Sequence, residues 1–374
     1  MFLGKVIIAS NTVITILIFI IVLSVLIFVH EFGHFVVAKR AGMKVEEFGF
    51  GFPPRLWSVK KGETTYSINW IPFGGFVKIF GEDGRGDKDP RSFASAKARI
   101  RVAVVVAGVL MNFLLAVVLL SIGNAVGLRV GLIDEIQTKQ AKDVKVQIIQ
   151  VAASSPAEKA GLLILDEIIG FRVNGKETPI KGVEEVQDFI SRNKGREITI
   201  VLKSGSQQKE KTLTPRADPP AGEGALGVSL AATGVIKYPW YQAIGRGALD
   251  SVSALQVTAM GYAGIIKSLF TTGKTGAELS GPIGIAVITG QAARLGFSYL
   301  LQFVAIISIN LMVLNILPFP ALDGGRLLFI GIEKLKGKPV SQKIENAVNA
   351  FGFALLILLM VYVTTKDIVK FFNF

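Results

Sequence analysis

Long apolar runs alternate with polar stretches along the chain. Four runs carry no Asp, Glu, Lys or Arg: Thr12–Val29, Val102–Leu128, Leu295–Leu322 and Asn346–Thr365. Each approaches or exceeds the roughly 20 residues a helix needs to cross a hydrocarbon core, so the pattern predicts four transmembrane helices. Thr12–Val29 lacks the basic leader and the A-x-A-like cleavage site of a signal peptide. A fifth uncharged run, Ser251–Ile266, is short and interrupted by Ser, Gln, Thr and Gly; its Leu255, Val257, Met260, Ile265 and Ile266 suit an amphipathic helix rather than a span.

These runs divide the chain. Residues 1–40 hold the first span, 41–101 a loop, 102–128 the second span and 130–230 a folded section. An amphipathic segment follows over 231–294, then the third span over 295–323, a loop over 324–345, the fourth span over 346–365 and a tail over 366–374. Thr64–Lys78 alternates and contains Trp70, Ile71, Phe73, Gly74, Gly75 and Phe76. It reads as a β-hairpin too apolar for water and dipping into the membrane. Within 130–230, strand-like Val144–Val151, a Pro-started helix at Ser155–Leu162, strand and turn at Asp166–Gly175, a helix at Val183–Ser191 and a strand at Glu197–Leu202 follow in order.

Composition agrees with a membrane protein. Of 374 residues 51% are hydrophobic and 18% charged, with mean hydropathy +0.52, against about 25% charged in soluble domains. The formal net charge of +13 is unevenly spread. Lys39–Arg101 has 13 basic against 7 acidic residues, Gly324–Glu345 has 5 against 2, and Val130–Leu230 has 14 of each. Basic short loops face the cytoplasm, which puts both termini and the folded section outside and makes nucleic acid an improbable partner. There is no cysteine, hence no disulfide and no thiolate metal site.

The chain has two histidines, and they stand four apart in His30-Glu31-Phe32-Gly33-His34. At that spacing two imidazoles share one helix face and can grip Zn²⁺, with the intervening Glu31 as general base. A catalytic zinc takes a third protein ligand and keeps one position open. Asp323, in Asn315-Ile316-Leu317-Pro318-Phe319-Pro320-Ala321-Leu322-Asp323-Gly324-Gly325, is the candidate. Pro318 and Pro320 cannot continue a helix, and unwound backbone at membrane depth is tolerated only inside protein or along a wet cavity. With four spans, Asp323 and the histidines fall at the same membrane face; a fifth crossing would separate them.

Taken together, these residues resemble the site-2 protease family of intramembrane zinc metalloproteases, in the bacterial regulator of sigma-E protease type with one inserted PDZ domain. His30–His34 matches the family's HExxH, and Asn315 to Gly324 its NxxPxPxLDG. Lys44–Gly51, Pro72–Lys78 and Ser280–Gly284 match further family segments. Two departures stand out: Gly108-Val109-Leu110-Met111-Asn112 lacks the family's proline, and Leu165 replaces the usual PDZ glycine before Asp166.

The resemblance implies a polytopic α-helical membrane protein with four transmembrane helices, a cytoplasmic membrane-dipping β-hairpin and an extracytoplasmic α+β PDZ domain. It implies a Zn²⁺ endopeptidase of a bacterial plasma (inner) membrane that cuts transmembrane segments of single-span proteins, such as anti-sigma factors or signal-peptide remnants, in regulated intramembrane proteolysis. His30, His34 and Asp323 would bind metal near the cytoplasmic face, Glu31 would be catalytic, and Asn315 would position substrate or stabilise the oxyanion. Gly74 and Gly75 would lie on a strand edge offered to substrate, and the PDZ domain would bind a peptide or protein terminus. The rival readings are a non-catalytic scaffold recruiting partners through that domain, and a metal or ion transporter.

Overall fold

A computed structural model describes residues 2–83, 89–132, 135–152, 154–173, 176–180, 182–205, 207–220, 222–273, 281–338 and 340–372. Asn174, Gly175 and Ser280, named above, lie outside them. The chain divides into two units.

The first unit comprises residues 1–122, 244–293 and 301–374. Four of the described helices are long and apolar enough to cross a membrane, and the protein is a multi-pass membrane protein. They lie in α1 (Phe2–Arg40), α2 (Ala98–Val126), α8 (Phe297–Ile316) and α10 (Gln342–Phe372). The most apolar windows of α1 and α10 are only 11% buried inside the protein, the exposure expected of lipid-facing helices, which gain nothing by hiding leucine from lipid. Ser251–Ile266 forms the middle of α6 (Trp240–Thr272), which is not among the candidate spans.

Two sequence expectations shift in this unit. Thr64–Lys78 is one limb of a longer hairpin: β2 (Thr64–Ile79) pairs with β1 (Val45–Lys61). Glu47 to Phe50 have partners on both sides, Thr65–Ile68 and Gly75–Lys78, so the ribbon folds back on itself and Gly75–Lys78 form its margin. Phe28 and Phe35 on α1 pack on Phe48 of β1, with ring centroids 5.3 and 4.7 Å away. Trp70 stays 66% exposed, too large an apolar surface for water. The third span is also shorter than 295–323. The helix ends at Ile316 ahead of Pro318, and Asp323 opens a separate helix, α9 (Asp323–Lys336).

The second unit comprises residues 123–243 and 294–300 and includes the short helices α3 (Glu135–Gln140) and α4 (Pro156–Lys159). Its sheet runs β3 (Leu128–Gly131), β9 (Val228–Ile236), β4 (Lys142–Val151), β5 (Glu167–Val173), β7 (Ile198–Ser204), β8 (Gln207–Leu213), with β6 (Lys176–Pro179) on β5. Residues of these strands, among them Ile148, Ile168, Phe171, Ile200 and Leu202, form its core with Val186 and Ile190 of α5 (Val183–Arg192); a bulge between Ile168 and Gly170 brings both Ile168 and Phe171 inward. Phe171 stacks on Phe189 at 4.2 Å. The strand boundaries 231–236 extend past the expected end of the folded section, because β9 closes the sheet against β3. Leu165 adopts φ +73°, a left-handed conformation that favours glycine.

Candidate metal centre

His30 and His34 face inward from the last turns of α1, 8% and 7% exposed. The helices there cross closely. A Cβ on Gly33 would lie 2.4 Å from the Ala107 carbonyl oxygen, and one on Gly108 would lie 2.3 Å from His34 Nε2. Glycine at both positions is what lets α2 press against the histidine face of α1.

Asp323 arrives by a different route. After α8 ends, the chain reverses through Leu317–Leu322, with Ala321 at φ +71° donating its N–H to Asn349 Oδ1 at 3.1 Å. A Cβ on Gly324 would stand 1.9 Å from the Leu317 carbonyl oxygen. The glycine following Asp323 is therefore what allows the reversal, and the reversal delivers the carboxylate.

The three expected ligands converge. His30 Nε2 and His34 Nε2 are 3.2 Å apart, and Asp323 Oδ2 lies 3.0 and 3.3 Å from them. Donors bound at about 2.0–2.2 Å in a tetrahedral zinc site stand roughly 3.3–3.5 Å apart, close to these edges. Glu31 contributes an oxygen within 4.8 Å of both imidazole donors.

Neighbours set the imidazole orientations. His34 Nδ1 donates to the Val104 carbonyl at 2.8 Å, leaving Nε2 as a lone pair. Asn112, fully buried on α2, places its amide 3.4 Å from His30 Nδ1 while its Oδ1 has no partner. Turning that amide lets Oδ1 accept from His30 Nδ1–H, the orientation that metal binding through His30 Nε2 would require. Three lone pairs then meet with no hydrogen between them, an arrangement a cation satisfies. The residues fit zinc.

Glu31, His34 and Asp323 also line a cavity of about 320 Å³ with Val77, Glu82, Arg326 and Asn349. The Val77 N–H donates to Glu31 Oε2 at 3.1 Å, and Arg326 is ion-paired to Glu82. Gly74, at φ +82°, and Gly75 pack against Ile27 and Phe28 of α1. Asn315 is half-buried in the last turn of α8, and no described contact joins it to the cluster. Asn112, Val104, Glu82 and Arg326 were not singled out as site residues by sequence. The only signal was the place of Asn112 in the Gly108–Asn112 segment.

The model for peptidase family M50 matches residues 18–359. The chain belongs to peptidase family M50, the site-2 proteases. Over 97% of its length it is 32% identical to zinc metalloprotease RasP of Geobacillus kaustophilus, covering 99% of that protein. RasP of Oceanobacillus iheyensis is 30% identical over 96% of the chain and 99% of the relative. A Clostridium acetobutylicum protein, named as a candidate zinc metalloprotease, is 36% identical over 97% and 99%. The protein is a zinc metalloendopeptidase of the membrane.

Proposed function

We propose that the protein cleaves transmembrane segments of single-span proteins, with His30, His34 and Asp323 as zinc ligands and Glu31 as general base. The convergence of three donor atoms from α1 and α9 within 3.3 Å, beside a carboxylate in a polar cavity, carries this reading. Zinc, when bound, supplies the Lewis acidity that activates water near neutral pH and polarises the scissile carbonyl. Glu31 takes the proton of the attacking water and returns it to the leaving amine. Val104 and Asn112 hold the imidazoles so that Nε2 faces inward. Glu82 and Arg326 keep this end of the cavity polar.

A transmembrane helix buries its peptide bonds in its own hydrogen bonds, so the segment must unwind before it is cut. The margin at Gly74–Val77 suits that task. Val77 N–H points toward Glu31, and alternate residues of a strand direct their backbone groups to the same edge, so Gly75 presents its own N–H and C=O on the side of the cavity. An unwound segment pairing there lies beside the base. Asn315 would steady the substrate or the oxyanion from α8.

The basic loops support a cytoplasmic-face active site, extracytoplasmic termini and residence in a bacterial plasma membrane. The second unit supports the PDZ reading: among the described residues, 228–231 of β9 pair only with β4, and α5 packs beside β9, leaving an edge for an extended peptide terminus. Anti-sigma factors and signal-peptide remnants are the proposed substrates.

The test uses purified wild type and Glu31→Gln on a model transmembrane substrate, with zinc quantified. Retained zinc with abolished cleavage is expected; equal cleavage by both proteins removes the proposal.

A further inference from the structure

The second unit holds a cavity of about 480 Å³ that none of the proposed metal ligands lines. Its floor is a polar network. Gln147, 3% exposed, donates to the Leu165 carbonyl at 2.9 Å, lies 3.2 Å from Tyr299 Oη and accepts from Thr233 Oγ1 at 2.7 Å. Four cations line it: Arg129, Lys145, Lys203 and Arg294. Two of them are neutralised. Arg129 is ion-paired to Asp143, and Lys145 lies 3.0 Å from Glu167 and 3.4 Å from Asp143. Glu167 stands opposite Lys203 in the β5–β7 ladder, yet its carboxylate turns to Lys145. Among the described residues, neither Lys203 nor Arg294 has a carboxylate within salt-bridge reach. The cavity is thus a concave site with a surplus of two positive charges.

Its position identifies the anion. Arg294, Leu295 and Tyr299 reach the cavity from the junction of α7 (Pro282–Leu295) and α8. The α8 span has 20 residues, about 30 Å of helix, the thickness of the hydrocarbon core. Phe297, its first residue and 62% exposed, therefore sits at the hydrocarbon boundary. Three residues of chain reach at most about 10 Å, and the headgroup layer is roughly 5–7 Å deep on each side. Arg294 therefore lies within about 10 Å of that boundary, in reach of the headgroup layer. Basic residues there attract anionic lipid, and acyl chains of a lipid whose phosphate enters the cavity can lie along the exposed start of α8.

We infer that this cavity binds the phosphate of an anionic phospholipid headgroup through Lys203 and Arg294, anchoring the second unit to the leaflet where α8 begins. The test is native mass spectrometry of the full-length protein in detergent with added phosphatidylglycerol or phosphatidylcholine. Lys203→Gln/Arg294→Gln should weaken phosphatidylglycerol binding roughly 10–30-fold, the effect of removing two cations from a lipid surface. Phosphatidylcholine binding should not change. Lys203→Arg/Arg294→Lys should retain binding, which separates charge loss from misfolding. Lys159→Gln/Lys209→Gln, an equal charge change on exposed positions of the same unit, should also retain it. Equal loss in both Gln pairs, or equal affinity for the two lipids, overturns the site. Displacement of phosphatidylglycerol by millimolar inorganic phosphate assigns the cavity to free phosphate and overturns the lipid, and displacement by an acidic peptide overturns it in favour of a protein partner.

Discussion

Gly108→Ala is the sharpest probe of the proposed metal centre. The new methyl carbon would stand 2.3 Å from His34 Nε2, 2.4 Å from Cε1 and 2.9 Å from Cδ2, against an ordinary separation of about 3.5 Å. Something must move by roughly 1.2 Å. His34 cannot yield freely, because its Nδ1 is tied to the Val104 carbonyl one turn earlier on α2. Metal–ligand distances tolerate about 0.2 Å, so a shift of that size removes His34 as a ligand, and a misplacement of about 1 Å costs on the order of 100-fold in rate even where groups survive. We expect the purified variant to lose most of its zinc and at least about 100-fold of its cleavage rate, while keeping its helical circular dichroism. Gly264→Ala on α6, where a Cβ meets nothing within 4 Å, is the matched control and should stay within about 2-fold. Stoichiometric zinc and near-normal cleavage in Gly108→Ala would show that the α1–α2 crossing does not set the centre.

Asn112→Ala should lower zinc affinity by about 10–100-fold, the usual effect of removing a partner of a ligating histidine; resistance of bound zinc to a graded chelator series measures it. Asp323→Asn should cost both zinc and activity, whereas Glu31→Gln should keep zinc and lose about 10²–10⁴-fold in cleavage. Gly74→Ala, forced to carry a side chain at φ +82° and 2.7 Å from Ile27, should raise KM for a transmembrane substrate more than it lowers zinc content. Phe171→Ala in the second unit should cost about 3–5 kcal/mol of that unit's stability, read by thermal unfolding, with the zinc of the first unit unchanged.

What sequence reveals here divides by range. The spans are legible because hydrocarbon thickness dictates run length, and His30, Glu31 and His34 because one helix turn fixes their mutual geometry. Asp323 is legible because prolines at 318 and 320 announce a break where an acid is otherwise costly. Pairings between distant segments are not. Nothing local says that Asn112 meets His30 across 82 positions, that Gly108 faces His34, or that Glu82 finds Arg326. The hairpin illustrates the same limit: alternation and Gly74-Gly75 suggest that Thr64–Lys78 is a hairpin by itself, but it is one limb, and its partner Val45–Lys61 depends on how the ribbon folds onto α1.

The link from Val77 to Glu31 joins substrate handling to chemistry in the proposed mechanism. A strand edge alone holds a peptide in any register, and a one-residue slip reverses which backbone groups face it. Here the margin is indexed to the catalytic carboxylate by one hydrogen bond, Val77 N–H to Glu31 Oε2 at 3.1 Å. The same contact occupies one oxygen of the base, which leaves the other for the attacking water. Shortening β2 by one residue between Gly75 and Val77 should therefore lower the rate through kcat and scatter the cleavage position, because register and base would no longer move together. Unchanged cleavage positions in that deletion, mapped by mass spectrometry of the products, would separate the edge strand from the catalytic centre.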